Sequence, residues 1–489
     1  MEQWAQRRVA GGKEDVVDRL HALDAEFLHV EDDHAPMHIA GVCVFENPAP
    51  SRQEFASLLA SRLHLLPRYR QRIRPVPLEL GRPVWVDDEH FDLEYHLRYA
   101  ALPEPGDQRV LETMMGRLMS HRLDRARPLW EAWLVEGLAD NRWAIIFKVH
   151  HCMVDGVAGV ALLSALLDVE ESPASLDAEP WAPRGAPNGL TLVVGAWAGL
   201  AMDATRWLVQ APQLVVHPRR AVQQVVNLGS GLGGFLRHLS ITTPLSIDGK
   251  IGARRNWATS SASMADIAKV REQFGGTIND VVMAAVTAGY RTLLLAAGEE
   301  PQGATLRCAI PVSVRSEDGK GVADNRVSVL LYELPVHIAD PVERLRSVQD
   351  RISDLKGSHM ADAGKSIAEV SDLLPPMLVG GFTRLFVRSE QLVAQRVINT
   401  IATNVPGPQF PLYCLGRKML EYRPFVPITQ GIRVGTAILS YDGRMFFGVT
   451  GDYDSDPDVG LLAATMAEEI GTLRKAAARQ RRSSAKQRK

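Results

Sequence analysis

Cysteine is scarce in this chain of 489 residues, which contains only four. None of the four belongs to a Cys-x-x-Cys pair, and their scatter argues against a disulfide framework or a zinc knuckle and predicts a reducing, cytoplasmic compartment. A net charge of −2 gives no global field that would recruit nucleic acid, so no nucleic-acid partner is expected. The sequence has no uncharged run of about 18 apolar residues, which predicts no transmembrane span, and no apolar N-terminal segment typical of a secretory signal.

Two motifs of common enzyme classes are also absent. No Gly-x-Ser-x-Gly pattern provides a serine nucleophile elbow, which argues against an acyl-enzyme formed on serine. No Gly-x-x-x-x-Gly-Lys-Ser/Thr pattern provides a phosphate-binding loop, so the phosphates of any ligand would depend on arginines that the sequence does not single out.

Strand and helix patterns alternate in both halves of the chain, which predicts an α/β fold with mixed sheets. We place an N-terminal domain at residues 1–185, a helical linker at 186–255, a C-terminal domain at 256–473 and a basic tail at 474–489. The amphipathic linker either packs between the halves or lies at a membrane interface. The tail is expected to be disordered or fraying, either as a solvated helix end with a solubilising tail or in weak electrostatic contact with anionic lipid.

Local patterns predict several individual elements. Residues 37–46 are rich in β-forming side chains and predict a strand, and a pattern with helical period follows and ends near Pro67. Two strands joined by a turn are predicted over 128–151, and a short buried helix over 156–167. An Asp-Gly pair predicts a hairpin turn at residues 442–443.

The stretch "IIFKVHHCMVDGVAG" carries the main candidate chemistry. Because neighbouring side chains of a strand point to opposite faces, His150 and His151 are not expected to bind one metal ion together, and no metal is expected. A neutral imidazole at the strand end is a suitable base for taking a proton from an attacking hydroxyl near pH 7. Asp155 either holds the loop through an arginine or caps the following helix, and Gly156 allows backbone or substrate to approach closely.

The segment "HHCMVDG" resembles the HHxxxDG signature of acyltransferases related to chloramphenicol acetyltransferase, carnitine acyltransferases and peptide-synthetase condensation domains. An ordered set of further stretches resembles the bacterial wax ester synthase/diacylglycerol acyltransferase family: "LDAEFLHVEDDHAPMHIAGVCVFE", "RPLWEAWLVEGL", "TINDVVMAAV", "CAIPVSVR", "DNRVSVLLYELP", "TNVPGP" and "LSYDGRMFFGV". The resemblance extends from Leu23 to Leu473. It implies an α/β fold of two chloramphenicol-acetyltransferase-like mixed-sheet domains, with the active site in a tunnel between them.

By this resemblance His151 is the general base, and His150, Asp155 and Gly156 complete the catalytic motif. The resemblance implies that a fatty acyl group passes from acyl-CoA to the hydroxyl of diacylglycerol, of a long-chain alcohol, or of both, directly within a ternary complex. Acyl-CoA is then a substrate, and no cofactor is expected. The triacylglycerol or wax ester would be made in the cytoplasm, in peripheral contact with the inner membrane or a lipid droplet.

Other residues are candidates for positioning and support. Thr277 is expected to cap a helix, with Asp280 as an acidic partner in its first turn. By resemblance, Asn279 and Asp280 match the Asn-Asp pair of the family, so they either position substrate or only cap the helix. By resemblance to condensation domains, Arg315 pairs with Asp155 across the domain interface as structural support.

Pro128, Leu129 and Trp130 match the PLW of the family and are expected either to pack against the strand before the motif or to shape an acyl channel. Three other interpretations stay open at this point. They are a condensation-type acyltransferase that takes carrier-protein thioesters, a non-catalytic lipid-binding relative, and a hydrolase in which water replaces the alcohol.

Overall fold

The structure, a computed structural model, describes residues 18–77, 80–153, 165–172, 180–195, 197, 242–313, 327–357 and 397–487. Its strands are β1 His38–Phe45, β2 Gln71–Arg74, β3 Val84–Asp87, β4 Leu97–Ala101, β5 Trp130–Leu138, β6 Arg142–His150, β7 Asp248–Gly249, β8 Arg255–Ser263, β9 Leu306–Ser313, β10 Val327–Leu334, β11 Thr400–Pro406, β12 Tyr413–Cys414, β13 Arg417–Phe425, β14 Gly431–Ile432, β15 Val434–Tyr441 and β16 Arg444–Asp452. Its α-helices are α1 Ala22–Val30, α2 Arg52–Arg62, α3 Leu93–His96, α4 Gln108–Met119, α5 Met264–Phe274, α6 Ile278–Ala296, α7 Pro341–Gly357 and α8 Val459–Gln487.

The first of two six-stranded sheets has the strand order β12-β13-β1-β6-β5-β4. In it β1 runs antiparallel to both β6 and β13, whereas β4 runs parallel to β5. The strand predicted at 37–46 and the pair predicted over 128–151 are confirmed as β1, β5 and β6. Since β6 is paired on both sides and buried over 143–150, its end is held firmly, and that end carries the histidine motif.

Helix α2 contributes Phe55, Leu58 and Leu59 to the apolar core on one face of the first sheet. A capping box between Ser51 and Glu54 starts this helix, because each side chain accepts a hydrogen bond from the backbone N–H of the other residue. The α-helix ends at residue 62, and two short 3-10 turns continue the chain through the predicted end point near Pro67.

The second sheet has the strand order β10-β9-β11-β15-β16-β8, with β11 parallel to both of its neighbours. Helices α5, α6, α7 and α8 share one apolar core with this sheet. The predicted hairpin is confirmed as β15 and β16, and its turn residues Asp442 and Gly443 have φ of 40° and 76°, as a tight hairpin turn requires. The predicted α/β class with two mixed sheets is therefore confirmed.

Strands β12 and β13 come from the second half of the chain and yet belong to the first sheet. The strand β13 pairs along β1, with Tyr422 opposite Cys43 and Phe425 opposite Ala40. It also lies against the second sheet, where a methyl group at Gly448 would overlap the Pro424 carbonyl oxygen. The sequence did not predict that strands of the second half would complete the first sheet, and the boundaries proposed at residues 185, 255 and 473 stay predictions.

Helix α8 continues to Gln487, which agrees with the expected solvated helix end, whereas the expectation of a tail disordered from residue 474 is wrong up to Gln487. Alanine, lysine, arginine and glutamine dominate this stretch, and all four are strong helix formers. The buried side chains of Leu473 and Ala477 also attach this part of α8 to the second core.

Two predicted segments fall largely outside the described residues. These are the short buried helix at 156–167 and the amphipathic stretch at 190–239, of which only 165–167 and 190–195 with 197 are described. Among the described helices, none combines the length and the apolar character that crossing a bilayer would need.

Candidate active site

The chain leaves the first sheet at the histidine pair. His150 is the last residue of β6 and lies opposite His38 of β1. The next residue begins a 3-10 turn, His151–Met153, and its backbone N–H donates to the Met37 carbonyl at 2.9 Å. The two histidines therefore belong to different elements: the first is fixed by the sheet and the second by the turn.

His151 is the more accessible of the pair. Its side chain is partly exposed, whereas His150 is fully buried. The His151 ring stacks on Phe27, with 3.9 Å between ring centroids and 21° between the ring planes. Phe27 belongs to α1, so a separate helix supports the His151 imidazole. This helix was not predicted from the sequence.

His150 is the centre of a buried polar network. Its Nδ1 accepts a hydrogen bond from the Cys152 N–H at 3.1 Å. Its Nε2 lies 3.5 Å from the Glu31 Oε1 atom, and the Nε2 of His38 lies 3.3 Å from the same oxygen. With Nδ1 acting as an acceptor, the proton of a neutral His150 ring is on Nε2 and faces the Glu31 carboxylate.

Glu31 is ionised in this network although it is buried. Arg125 donates to its Oε2 through Nη2 at 2.6 Å and Nε at 3.0 Å, and the Met37 N–H donates to its Oε1 at 3.2 Å. Burial alone would raise the pKa of Glu31, but its contacts with His150, His38 and Arg125 outweigh burial and lower the pKa to about 2. No role was predicted for Glu31, His38 or Arg125, although the first two lie in "EDDHAPMHIA".

Glu31, His38 and His150 are also a donor set that a metal ion can use, since their ligand atoms lie within 4.8 Å of one another. The surroundings of this set are already cationic. Arg125 occupies one carboxylate oxygen, and the buried ammonium of Lys148 donates to the Leu118 and His121 carbonyls nearby. Because two cations would repel a divalent ion, the set is better explained as a hydrogen-bonded network than as a metal centre.

The PLW residues lie directly beside the histidine strand. The Leu129 carbonyl accepts from the His150 N–H at 3.0 Å, and the Leu129 side chain packs in one cluster with Cys152. Trp130 stacks on His96, with 4.6 Å between ring centroids, and its Nε1–H donates to the Tyr69 carbonyl at 2.8 Å. Pro128 precedes β5, and its carbonyl accepts from the Trp130 N–H. The supporting role assigned to the three residues stays a prediction.

The predicted cap of α6 is confirmed. Thr277 Oγ1 accepts from the Asp280 N–H at 3.3 Å, and the Asp280 carboxylate accepts from the Thr277 N–H at 2.7 Å. The Asn279 Oδ1 atom accepts from the Asn404 side chain at 3.1 Å. None of the contacts found among the described residues joins Asn279 or Asp280 to the histidine pair, so their role toward substrate stays a prediction.

Three predicted site residues, Asp155, Gly156 and Arg315, lie outside the described residues. The proposed pairing of Asp155 with Arg315 and the tunnel between the halves therefore stay predictions.

A cavity of about 250 Å³ adjoins the buried network. Its wall consists of Leu28, His29, Ile73, Pro75, Val76, Gly81, Arg82, Pro83, Arg125 and Leu129. Apolar side chains supply most of this wall, and two arginines and a histidine supply the rest. The combination suits a molecule that has both an apolar and an anionic part.

Two mixed sheets, the first of which contains a strand from the second half of the chain, with a histidine pair at the end of a central strand, define the class of fold that condensation domains have. The first condensation domain of the calcium-dependent antibiotic synthetase is similar in fold, with a TM-score of 0.57, 16% identity, and coverage of 95% of this chain and 97% of that chain. The wax ester synthase/diacylglycerol acyltransferase from Marinobacter aquaeolei VT8 is more similar, with a TM-score of 0.65, 25% identity, and coverage of 94% and 100%.

The sequence comparisons identify the family. The wax ester synthase/diacylglycerol acyltransferase catalytic domain matches residues 20–282, and the C-terminal domain of the same family matches residues 323–474. A Mycobacterium tuberculosis H37Rv protein named probable diacylglycerol O-acyltransferase tgs1 is 36% identical over 459 residues, which cover 94% of this chain and 96% of that protein. The chain belongs to the wax ester synthase/diacylglycerol acyltransferase family and is an acyltransferase.

Proposed function

We propose that this acyltransferase moves a long-chain fatty acyl group from acyl-CoA to the hydroxyl of diacylglycerol, of a long-chain alcohol, or of both, with His151 as general base. The observation that carries the proposal is the position of His151. This residue follows a fully paired strand directly, its partly exposed imidazole stacks on Phe27, and its backbone N–H donates to the Met37 carbonyl. The names of the Mycobacterium and Marinobacter relatives support the two classes of acceptor.

The proposed reaction is a direct transfer within a ternary complex. The His151 imidazole takes the proton of the acceptor hydroxyl while the hydroxyl oxygen attacks the carbonyl carbon of the thioester. A C–O bond forms, the C–S bond breaks, and the proton passes from the imidazolium to the departing CoA sulfur. The absence of a serine nucleophile elbow in the sequence supports a path with no acyl group bound to the protein.

A purified-protein assay tests this function. Radiolabelled palmitoyl-CoA is supplied with diacylglycerol, with hexadecanol, or with no acceptor, and CoA and ester are both measured. We expect ester only when an acceptor is present, and the ratio of the two esters gives the acceptor preference. Release of CoA without ester would support a hydrolase, and no release of CoA would support a lipid-binding protein. Ester formed from an acyl carrier protein thioester, but not from acyl-CoA, would support a condensation-type enzyme.

We also propose that the enzyme acts in the cytoplasm in peripheral contact with the inner membrane or a lipid droplet, because both acceptors are insoluble in water. Co-flotation of the protein with vesicles that contain diacylglycerol tests this contact. Protein that stays at the bottom of the gradient at low ionic strength would contradict it.

A further inference from the structure

We propose that Glu31 is a positioning residue for the reaction, because its buried carboxylate fixes, through His150, the turn that presents His151. The inference rests on the proposed function, since it takes His151 as the base. Glu31 touches neither of the reacting atoms in this scheme, and its effect is transmitted through two defined contacts.

The first step is the fixation of Glu31 itself. Its side chain is 1% exposed, so the carboxylate has little water to replace a lost partner. Arg125 holds Oε2 in a two-point contact, and the Met37 N–H holds Oε1. Because Arg125 and the Met37 N–H hold different oxygens of the carboxylate, the two partners together fix its orientation, and the charged arginine donors make the stronger bonds. Oε1 is therefore a fixed negative charge, 3.5 Å from the Nε2 atom of His150.

The second step passes from Glu31 to the turn. With its Nε2 edge facing Oε1 at 3.5 Å, the His150 ring presents Nδ1 to the backbone, where it accepts from the Cys152 N–H at 3.1 Å. Cys152 is the central residue of the 3-10 turn His151–Met153. The orientation of the His150 ring therefore determines the conformation of the turn that carries His151.

A second connection from Glu31 ends at the same imidazole. Glu31 directly follows α1, and its backbone N–H donates to the Phe27 carbonyl at 3.2 Å. Arg125 Nη2 also donates to the Leu28 carbonyl at 3.0 Å, which ties the end of α1 to the carboxylate. Phe27 is the residue on which the His151 ring stacks. Glu31 is thus connected both to the turn that carries His151, through His150, and to the His151 ring, through Phe27.

The test compares Glu31→Gln with a matched control, Glu469→Gln. Glu469 is also a buried carboxylate paired with an arginine, at 2.6 Å from Arg344, but it lies on α8 in the second core. Both variants break a buried ion pair and are expected to lower the melting temperature. We expect only Glu31→Gln to lower kcat, by up to about 100-fold as for a misplaced catalytic group, with the KM for palmitoyl-CoA within about 2-fold of wild type. A loss of fold alone would lower kcat in proportion to the fraction unfolded in both variants.

Equal kcat values for folded Glu31→Gln and Glu469→Gln would overturn the positioning role. If Glu31→Gln does not fold, the double variant Glu31→Gln/Arg125→Gln removes both charges and leaves no buried ion without its partner. A folded double variant with wild-type kcat would overturn the inference, and one with lowered kcat and unchanged KM would support it.

His151→Ala is measured in parallel: wild-type turnover by that variant would overturn the proposed function. Inactive His151→Ala beside fully active Glu31→Gln would overturn only the role of Glu31.

Discussion

The two adjacent histidines show how one peptide bond can separate a structural residue from a reactive one. His150 is 0% exposed and directs both ring nitrogens to protein groups. His151 is partly exposed, and its ring stacks on the aromatic ring of Phe27. A partly exposed ring can be reached by a substrate, whereas a fully buried ring cannot.

This contrast predicts opposite results for two alanine variants. We expect His151→Ala to retain the melting temperature of the wild type and to lose about 10²–10⁴-fold in ester formation, the contribution of a general base. We expect His150→Ala to lose activity and also about 2–4 kcal/mol in the free energy of unfolding, because it leaves a cavity and removes a partner of buried Glu31. Denaturant unfolding and the palmitoyl-CoA assay measure both. Equal stability of the two variants would contradict the assignment of His150 to the structure.

Asp248 provides a prediction for pH. Burial raises the pKa of this carboxyl from its ordinary 3.8 to about 6, although N–H groups of Leu245 and Asn399 donate to it and lower the pKa. The folded state therefore binds more protons than the unfolded state between about pH 4 and pH 6, so the stability from this group falls as the pH rises through that window.

Asp248→Asn removes the titration. Relative to this variant, we expect the wild type to lose about 1–2 kcal/mol in the free energy of unfolding from pH 4 to pH 7, a value reduced for partial exposure of the group. Denaturant unfolding of both proteins across this range measures the difference. Parallel stability curves would contradict the raised pKa.

Only those site residues that are neighbours in the sequence could be predicted from it. The histidine motif lies in one stretch after a strand pattern, so its residues and its place at the end of β6 could be predicted. Glu31 and Arg125 are 94 residues apart and meet only in the folded protein. Their ion pair has no local periodicity or spacing that a sequence pattern could show.

At the scale of elements, the strands and helices that could be predicted are those with a clear periodic pattern or turn signal in their own sequence. The helix α2 was predicted from its helical period, and its capping box adds a local start signal. The β15–β16 hairpin was predicted from its Asp-Gly turn. The helix α1 has nine residues, and its N-cap, His21, makes no side-chain cap, so neither length nor capping marks it. The pairing of β13 with β1 joins residues more than 370 positions apart, and no local pattern encodes such a partner.

The close approach of β16 to β13 predicts the outcome of a pair of glycine substitutions. At Gly448 a methyl group would overlap the Pro424 carbonyl oxygen, which belongs to the backbone and cannot rotate away. We expect Gly448→Ala to lower the free energy of unfolding by about 1–3 kcal/mol, as overpacking does. Gly471→Ala is the control, since a methyl group there has no atom within 4 Å, and we expect it to raise stability by about 0.5–1 kcal/mol through helix propensity. Equal melting temperatures for the two variants would contradict the tight contact between the strands.

At the scale of the whole molecule, strands β12 and β13 make the first sheet depend on the second half of the chain. The buried residues Cys414, Met419 and Tyr422 from the second half lie in the same apolar cluster as Phe45 and Trp143. The Tyr441 hydroxyl extends this connection, because it accepts from the Leu412 N–H and donates to the Met419 carbonyl. The N-terminal part of the chain therefore does not contain all the strands and core residues of the first sheet, and we do not expect it to fold independently.

This dependence predicts how the two halves of the chain behave when they are separated. Without β12 and β13, residues 1–255 would expose β1 as an edge strand and would leave Phe45 and Cys43 without a large part of their packing. We expect residues 1–255 alone to bind a hydrophobic dye and to unfold without a cooperative transition, because the apolar core of the first sheet is incomplete. Co-expression with residues 256–489 should restore a complex that purifies as one species, unfolds cooperatively and forms ester. A stable monomer of residues 1–255 with a sharp thermal transition would show that β13 adds to a sheet that folds alone, and would contradict the interdependence inferred from the strand order.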